Sequence, residues 1–293
     1  MLKSAEDRSV EDAAQTRRSV DTSVDAARVG ACATYFGGPQ GHGDSRNKLL
    51  GMRVDRTSYA DAAGRVVDWA RDGESRYVCC ASVNNVMEAF DSAQFRGIMN
   101  EADLVTPDGM PLVWGLRLLG ARGATRVYGP DLTLQVLDDT ARNDLPVGFY
   151  GASADTLRRL TAKVQNRFPS LRIAYSYSPP FRPLTGDEDA QVTSEINASG
   201  ARVLFVGLST PKQERWMAAH RGRIRAVMLG VGAGFDFLAG AKPQAPRWMQ
   251  RAGLEWLFRF LAEPRRLGPR YLQHNPRFVT LFTLQLLGLR GRW

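Results

Sequence analysis

From about residue 51 onward, short apolar runs alternate with helix-like segments, and that alternation leaves few architectures open. "YVCCASV" (77–83), "PVGFYGA" (146–152), "RIAYSYS" (172–178), "ARVLFVGLS" (201–209) and "IRAVMLGVG" (224–232) read as strands. Helices are expected over roughly 84–101 and over "SADTLRRLTAKVQNRF" (153–168). Strands that are apolar throughout belong in a parallel sheet covered on each side by helices. The expected fold is therefore α/β, a mostly parallel Rossmann-like sheet with helices on both faces and a C-terminal helical appendage. Such sheets bind ligands beyond the carboxyl ends of their strands.

The flanks differ from this middle part. Residues 1–50 carry seven basic and seven acidic side chains and no hydrophobic period, so they read as disordered or weakly helical, outside the fold. The catalytic α/β domain is expected over 51–245, and a basic amphipathic appendage over 246–293. In the appendage Pro246 and Pro264 mark helix starts. Arg247, Arg251, Glu255 and Arg259 recur every four residues as a polar stripe beside Trp248, Ala252, Trp256 and Phe260. Residues 243–293 hold nine arginines against two glutamates, most of the chain's net charge of +9. An anionic partner follows, either nucleic acid or an anionic membrane surface.

Other classes are disfavoured. The longest apolar run near the end, "VTLFTLQLLGL" (279–289), is shorter than the roughly 18 residues of a spanning helix. No apolar core of a signal peptide opens the chain. Cys32, Cys79 and Cys80 have neither metal spacing nor a disulfide framework, and they read as reduced thiols. His42, His220 and His274 show no ligand spacing.

Five strand ends carry candidate chemistry. Ser82-Val83-Asn84-Asn85 can cap a helix or meet a ligand. Asp108 in "PDG" either shapes a turn or, raised by apolar neighbours, takes a proton. Arg126 in "TRVYGPDL" suits a phosphate or carboxylate. In "STPKQE", Thr210 reads as an N-cap, Pro211 as the first helical residue and Gln213 as the end of a capping box, with free amides facing the strand end. The glycines of "GVGAGFDFLAG" (230–240) permit close backbone approach, but the dinucleotide fingerprint is absent, which argues against an NAD-type oxidoreductase. The acidic run Asp187-Glu188-Asp189 reads either as a metal-holding pattern or as an exposed helix start.

The order of these motifs is more telling than any one of them. The chain runs S-x-N, PDG, R-x-x-G-x-D-L, G-x-S-x-P-K-Q-E-x-W, G-V-G-A-x-F-D-F-x-A-G, then A-P-x-W-M-x-x-x-G-L-E-W-L-F-R and E-P-x-R-L-x-x-R-Y. Over about residues 50–278 it resembles the WecG/TagA/CpsF family of bacterial glycosyltransferases. The resemblance implies an inverting enzyme of cell-surface polysaccharide synthesis. It would move N-acetylmannosamine, its uronic acid or glucose from a UDP-sugar to a sugar on undecaprenyl diphosphate, at the cytoplasmic face of the membrane.

By the same resemblance Asp108 is the general base, and Ser82, Asn84, Arg126 and Gln213 are substrate contacts. Ser82 keeps the hydroxyl of a family threonine. Arg259, Arg266 and Arg270 match the appendage arginines said to complete the site, while Gln244 and Pro269 depart from the pattern. The expected partners are the UDP-sugar donor, the polyprenyl-linked acceptor and an anionic membrane surface, with no nucleic acid; a homo-oligomer stays open. No cofactor is expected, and arginines with backbone amides rather than a metal would stabilise the diphosphate. The competing reading is a non-catalytic basic protein that binds UDP-sugar or nucleic acid.

Overall fold

The computed structural model describes residues 48–289. Two short strands, β1 (Lys48–Leu49) and β2 (Met52–Arg53), pair antiparallel. Next come α1 (Tyr59–Arg71), β3 (Arg76–Ala81), α2 (Val83–Asp91), α3 (Ala93–Glu101) and β4 (Leu104–Pro107). The chain continues through α4 (Met110–Leu118), α5 (Gly129–Arg142), β5 (Val147–Gly151), α6 (Ala154–Arg167) and β6 (Ile173–Tyr177). α7 (Gly186–Ser199), β7 (Val203–Gly207), α8 (Lys212–His220), β8 (Val227–Gly230) and α9 (Gly234–Leu238) complete the central part. The last helices are α10 (Arg247–Arg251), α11 (Glu255–Ala262) and α12 (Pro264–Leu286).

Six strands form one parallel sheet in the order β4-β3-β8-β7-β5-β6. Side chains alternate across a strand, so a strand buried on both faces feeds two cores. Tyr77, Cys79 and Ala81 of β3 face one core, and Val78 and Cys80 face the other. β7 divides likewise, Leu204 and Val206 against Val203 and Phe205. Helices α1, α5 and α6 cover the second face through residues such as Val66, Val136 and Leu160. Helices α2, α3, α7 and α12 cover the first through Met87, Phe95, Ile196 and Phe282. The expected α/β sheet, covered on both faces and followed by a helical appendage, is the observed fold.

Four details differ from the sequence reading. The single helix expected over 84–101 is two, because Ser92 adopts an extended conformation and its hydroxyl accepts the Phe95 N–H at 3.2 Å, capping α3. β4, only four residues long, was not singled out as a strand. The fold also reaches back before residue 51: Leu49 and Leu50 are fully buried, and the Leu50 N–H donates to Gln285 Oε1 of α12 at 2.9 Å. The remainder of the 1–50 segment, with Cys32 and His42, lies outside the described residues.

The fourth difference is in the appendage. The stripe expected to run unbroken from 247 to 260 is interrupted at Ala252–Leu254, between α10 and α11. Gly253 sits in the left-handed region (φ 71°), and a Cβ there would stand 2.5 Å from the Trp114 ring. Glycine alone allows this reversal against the indole. The bent appendage is tied back at several points. Arg247 makes a forked pair with Asp131 at the start of α5, and Arg277 with Asp91 at the end of α2. Gln285 bonds the backbone of Lys48 and Leu50.

Candidate active site

Asp108 follows β4 directly. Its N–H donates to the Ala81 carbonyl at the end of β3 (2.9 Å), and the Val127 N–H donates to the Pro107 carbonyl (3.0 Å). Gly109 is the cap of α4, with Pro111 in the first turn. The PDG turn therefore shapes the backbone and aims the carboxylate at the same time. Asp108 Oδ1 accepts the Gly129 N–H at the start of α5 (3.3 Å).

Arg126 lies across this carboxylate. Its Nε donates to the Asp108 backbone carbonyl, its Nη1 to Gln250 Oε1 (3.4 Å) and its Nη2 to Glu255 Oε2 (2.5 Å). The distance from Nη2 to Asp108 Oδ1 is 3.8 Å. The guanidinium also stacks 4.3 Å over the Tyr128 ring. The Arg126 and Glu255 side chains are only 15% and 16% exposed, against 24% for Asp108.

This setting changes the acid. Burial pushes the Asp108 carboxyl up to about 7; Arg126 opposes the rise, Glu255 adds to it, and the Gly129 N–H and Arg259 hold it back. Burial also raises the Tyr128 hydroxyl, with Glu255 and Asp108 adding to the effect. Arg259 lies one turn after Glu255 on α11, 5.5 Å over the Phe237 ring, and pairs with no carboxylate among the described residues. Three of the expected residues, Asp108, Arg126 and Arg259, thus share one electrostatic site.

A second cluster gathers at the ends of β3, β7 and β8. The Ser82 N–H and hydroxyl both donate to Asn85 Oδ1 (3.0 and 3.1 Å). Asn85 Nδ2 in turn reaches the buried Glu214 Oε1 (3.0 Å). Gln213, also buried, donates to the same oxygen (3.1 Å), leaving its own Oε1 without a partner beside Gly232. Asn84 Oδ1 is likewise buried and unpartnered. The expected cap at Thr210 does not form. Ser209 turns through the left-handed region, Pro211 takes the cap position of α8, and the Thr210 hydroxyl donates to Glu214 Oε1 instead (2.8 Å).

The remaining candidates stand apart. Arg266 pairs with Glu263 on an exposed surface, and Arg270 lies 5.4 Å over the Tyr271 ring. Asp187, Glu188 and Asp189 open α7. There Glu188 completes a capping box with Thr185 and pairs with Arg182, and Asp189 pairs with Arg223. That is the helix-start reading of the acidic run. His220 is buried, its Nδ1 2.7 Å from the Trp216 carbonyl. Among the described residues no group of three or more His, Cys, Asp or Glu side chains is placed to hold a metal ion.

The model of the family described as "Glycosyl transferase WecG/TagA/CpsF family" matches residues 47–292. The chain belongs to the WecG/TagA/CpsF family. Two curated members of similar sequence carry the name N-acetylglucosaminyldiphosphoundecaprenol N-acetyl-beta-D-mannosaminyltransferase. The one from Bacillus spizizenii is 30% identical over 205 residues, covering 70% of this chain and 77% of that protein. The one from Bacillus subtilis is 27% identical over 179 residues, covering 61% and 68%. This WecG/TagA/CpsF glycosyltransferase holds two site residues that the sequence reading did not assign, Glu255 and Glu214. Glu255 stood in a stripe with Arg251 and Arg259, a spacing that reads as a solvated helix face. Glu214 sat inside an apparent capping motif. Its three polar partners, Asn85, Thr210 and Gln213, converge on it only in three dimensions.

Proposed function

We propose that this glycosyltransferase moves N-acetylmannosamine from a UDP-sugar to the N-acetylglucosamine of a polyprenyl-diphosphate-linked acceptor, with inversion. The names of the two relatives support the sugar and the acceptor. The observation that carries the mechanism is the Asp108 carboxylate, raised toward neutrality beside Arg126 and Arg259 at a strand end.

Inversion needs one base on the face opposite the leaving group. The acceptor hydroxyl attacks C1 of the donor sugar, its proton passes to Asp108, and the C1–O bond to UDP breaks with its electron pair going to the diphosphate. A carboxylate titrating near neutrality is a better proton acceptor than an ordinary one and is still about half ionised at pH 7. The diphosphate's growing charge would be met by Arg259, which pairs with no carboxylate of the described residues, and by Arg126. In this reading the charge stabilisation falls on guanidinium groups rather than on a metal ion.

The appendage suits a lipid-linked acceptor. Trp248, Leu261, Leu272 and Val279 are each more than 60% exposed on it, alongside exposed Arg251, Arg265 and Arg266. An apolar-basic surface of this kind lies on an anionic interface. No helix of the described residues is long and apolar enough to cross a membrane. Peripheral attachment at the cytoplasmic face is the corresponding placement.

The test is a panel of UDP-sugars against polyprenyl-diphosphate-linked acceptors, with and without EDTA, read by mass spectrometry. Transfer from UDP-N-acetylmannosamine in chelator is expected, and it should fall by roughly 10²–10⁴ in Asp108→Asn. Binding of UDP without transfer to any acceptor would support the non-catalytic reading.

A further inference from the structure

We propose that Glu255 is a positioning residue of this same site: the appendage carboxylate draws the Arg126 guanidinium aside and leaves the Asp108 oxygens open to an incoming hydroxyl. The inference rests on Asp108 being the base.

An arginine beside a carboxylate ordinarily closes on it in a forked pair with N···O distances of about 2.7–2.9 Å. Arg126 does not. Its nearest carboxylate approach to Asp108 is 3.8 Å, although its Nε is bonded to the carbonyl of that same residue. The nitrogen that should close the fork, Nη2, goes to Glu255 at 2.5 Å. Nη1 goes to Gln250. Both competing acceptors, Gln250 and Glu255, come from the appendage. Among the described residues the Asp108 carboxylate accepts one hydrogen bond, the long one from Gly129.

The charges explain why this matters. Arg126 lies between two carboxylates and closes on only one of them, which leaves Asp108 without a charged partner at hydrogen-bond distance. Glu255, at the first position of α11, has the stronger claim on the cation: it is closer, and helix N-termini favour carboxylates. The uncompensated charge therefore falls on Asp108, which makes it a proton acceptor. The other groups facing Asp108 are Tyr128 before α5, Tyr59 on α1, Cys80 on β3 and Arg259 on α11. Among these, Arg259 alone opposes the effect of Glu255. Glu255 thereby couples docking of the appendage to basicity at the strand end. Without the appendage, Arg126 would be free to pair with Asp108 and quench it.

Full-length enzyme would be assayed with UDP-N-acetylmannosamine and a short-chain polyprenyl-diphosphate N-acetylglucosamine across pH 5 to 9. Glu255→Gln keeps the size and a hydrogen-bond acceptor but loses the charge. It should move the acid limb of kcat down by roughly one pH unit and lower plateau kcat about tenfold, with donor KM changed less than about threefold. Glu255→Asp, which keeps the charge, should return the limb toward the wild-type position. A limb that stays in place in Glu255→Gln overturns the proposal, whether or not kcat falls. So does an equal displacement in both variants. Asp108→Asn is run alongside. If its kcat falls by less than about tenfold, the base reading itself fails. If it falls further while Glu255→Gln leaves the limb unmoved, only the role of Glu255 fails.

Discussion

Gln213 donates its amide hydrogen to the carboxylate of its own chain neighbour, Glu214, at 3.1 Å, with both side chains buried at the end of β7. Adjacent residues on a helix do not normally face each other. Here they do because Glu214 Oε1 is already fixed by Asn85 from α2 and by Thr210. This junction ties the ends of β3 and β7 to each other.

Glu214→Leu should strand the Asn85, Thr210 and Gln213 donors in a buried space. A loss of about 3 kcal/mol or more is expected, and chemical denaturation monitored by circular dichroism checks it. Glu214→Gln, which keeps an acceptor, should lose clearly less. Equal losses in the two variants would mean that shape, not hydrogen bonding, is what Glu214 supplies.

The pH dependence of transfer follows from Asp108. Its carboxyl is raised to about 7, and the base is active when ionised. Activity should therefore be level above neutrality and fall about tenfold per unit well below pH 7. Asp108→Asn should lose roughly 10²–10⁴ in kcat and show no such limb. The measurement is the pH–rate profile of kcat/KM at saturating acceptor.

The same raised carboxyl has a stability consequence of definite sign. In the unfolded chain Asp108 ionises near its ordinary value of about 3.9. Between that value and about 7 the folded state binds the extra proton, so stability falls as pH rises through this window. Asp108→Asn removes the cost of the buried charge. At pH 8 it should be more stable than wild type by on the order of 2 kcal/mol, and the gain should fade toward pH 4. Melting temperatures at the two pH values decide this; a gain that is the same at both would contradict it.

Gly253→Ala should loosen the appendage. The left-handed backbone costs a side chain about 1 kcal/mol, and the new methyl would press into the Trp114 ring. Together a loss of about 2–3 kcal/mol of docking is expected. Faster hydrogen exchange over 247–262, with the central sheet unchanged, is the expected readout.

Attachment to membranes should depend on salt. Each basic side chain near an anionic leaflet contributes about 1 kcal/mol, and this attraction is screened as ionic strength rises. Sedimentation with phosphatidylglycerol vesicles should be strong at 50 mM salt and weak at 500 mM. Truncation after Ala245 should abolish it, and binding that survives truncation would place the docking surface elsewhere.

The sequence alone determined a good deal. Apolar runs at the spacing of β/α units made the parallel sheet legible, because strands buried on both faces leave continuous hydrophobic stretches at 77–81, 147–151, 203–207 and 227–230. The ordered motifs singled out Asp108, Arg126 and Arg259, and the structure gathers these three at one site. What the sequence left open was decided by contacts between distant segments. Arg126 and Glu255 are 129 residues apart, and so are Asn85 and Glu214. Helical spacing placed Glu255 on a solvated stripe, since spacing describes a helix by itself and not the surface it folds against. Past the bend at Gly253, Glu255 of that stripe meets Arg126, and this pairing fixes which charge is neutralised and which is left to act.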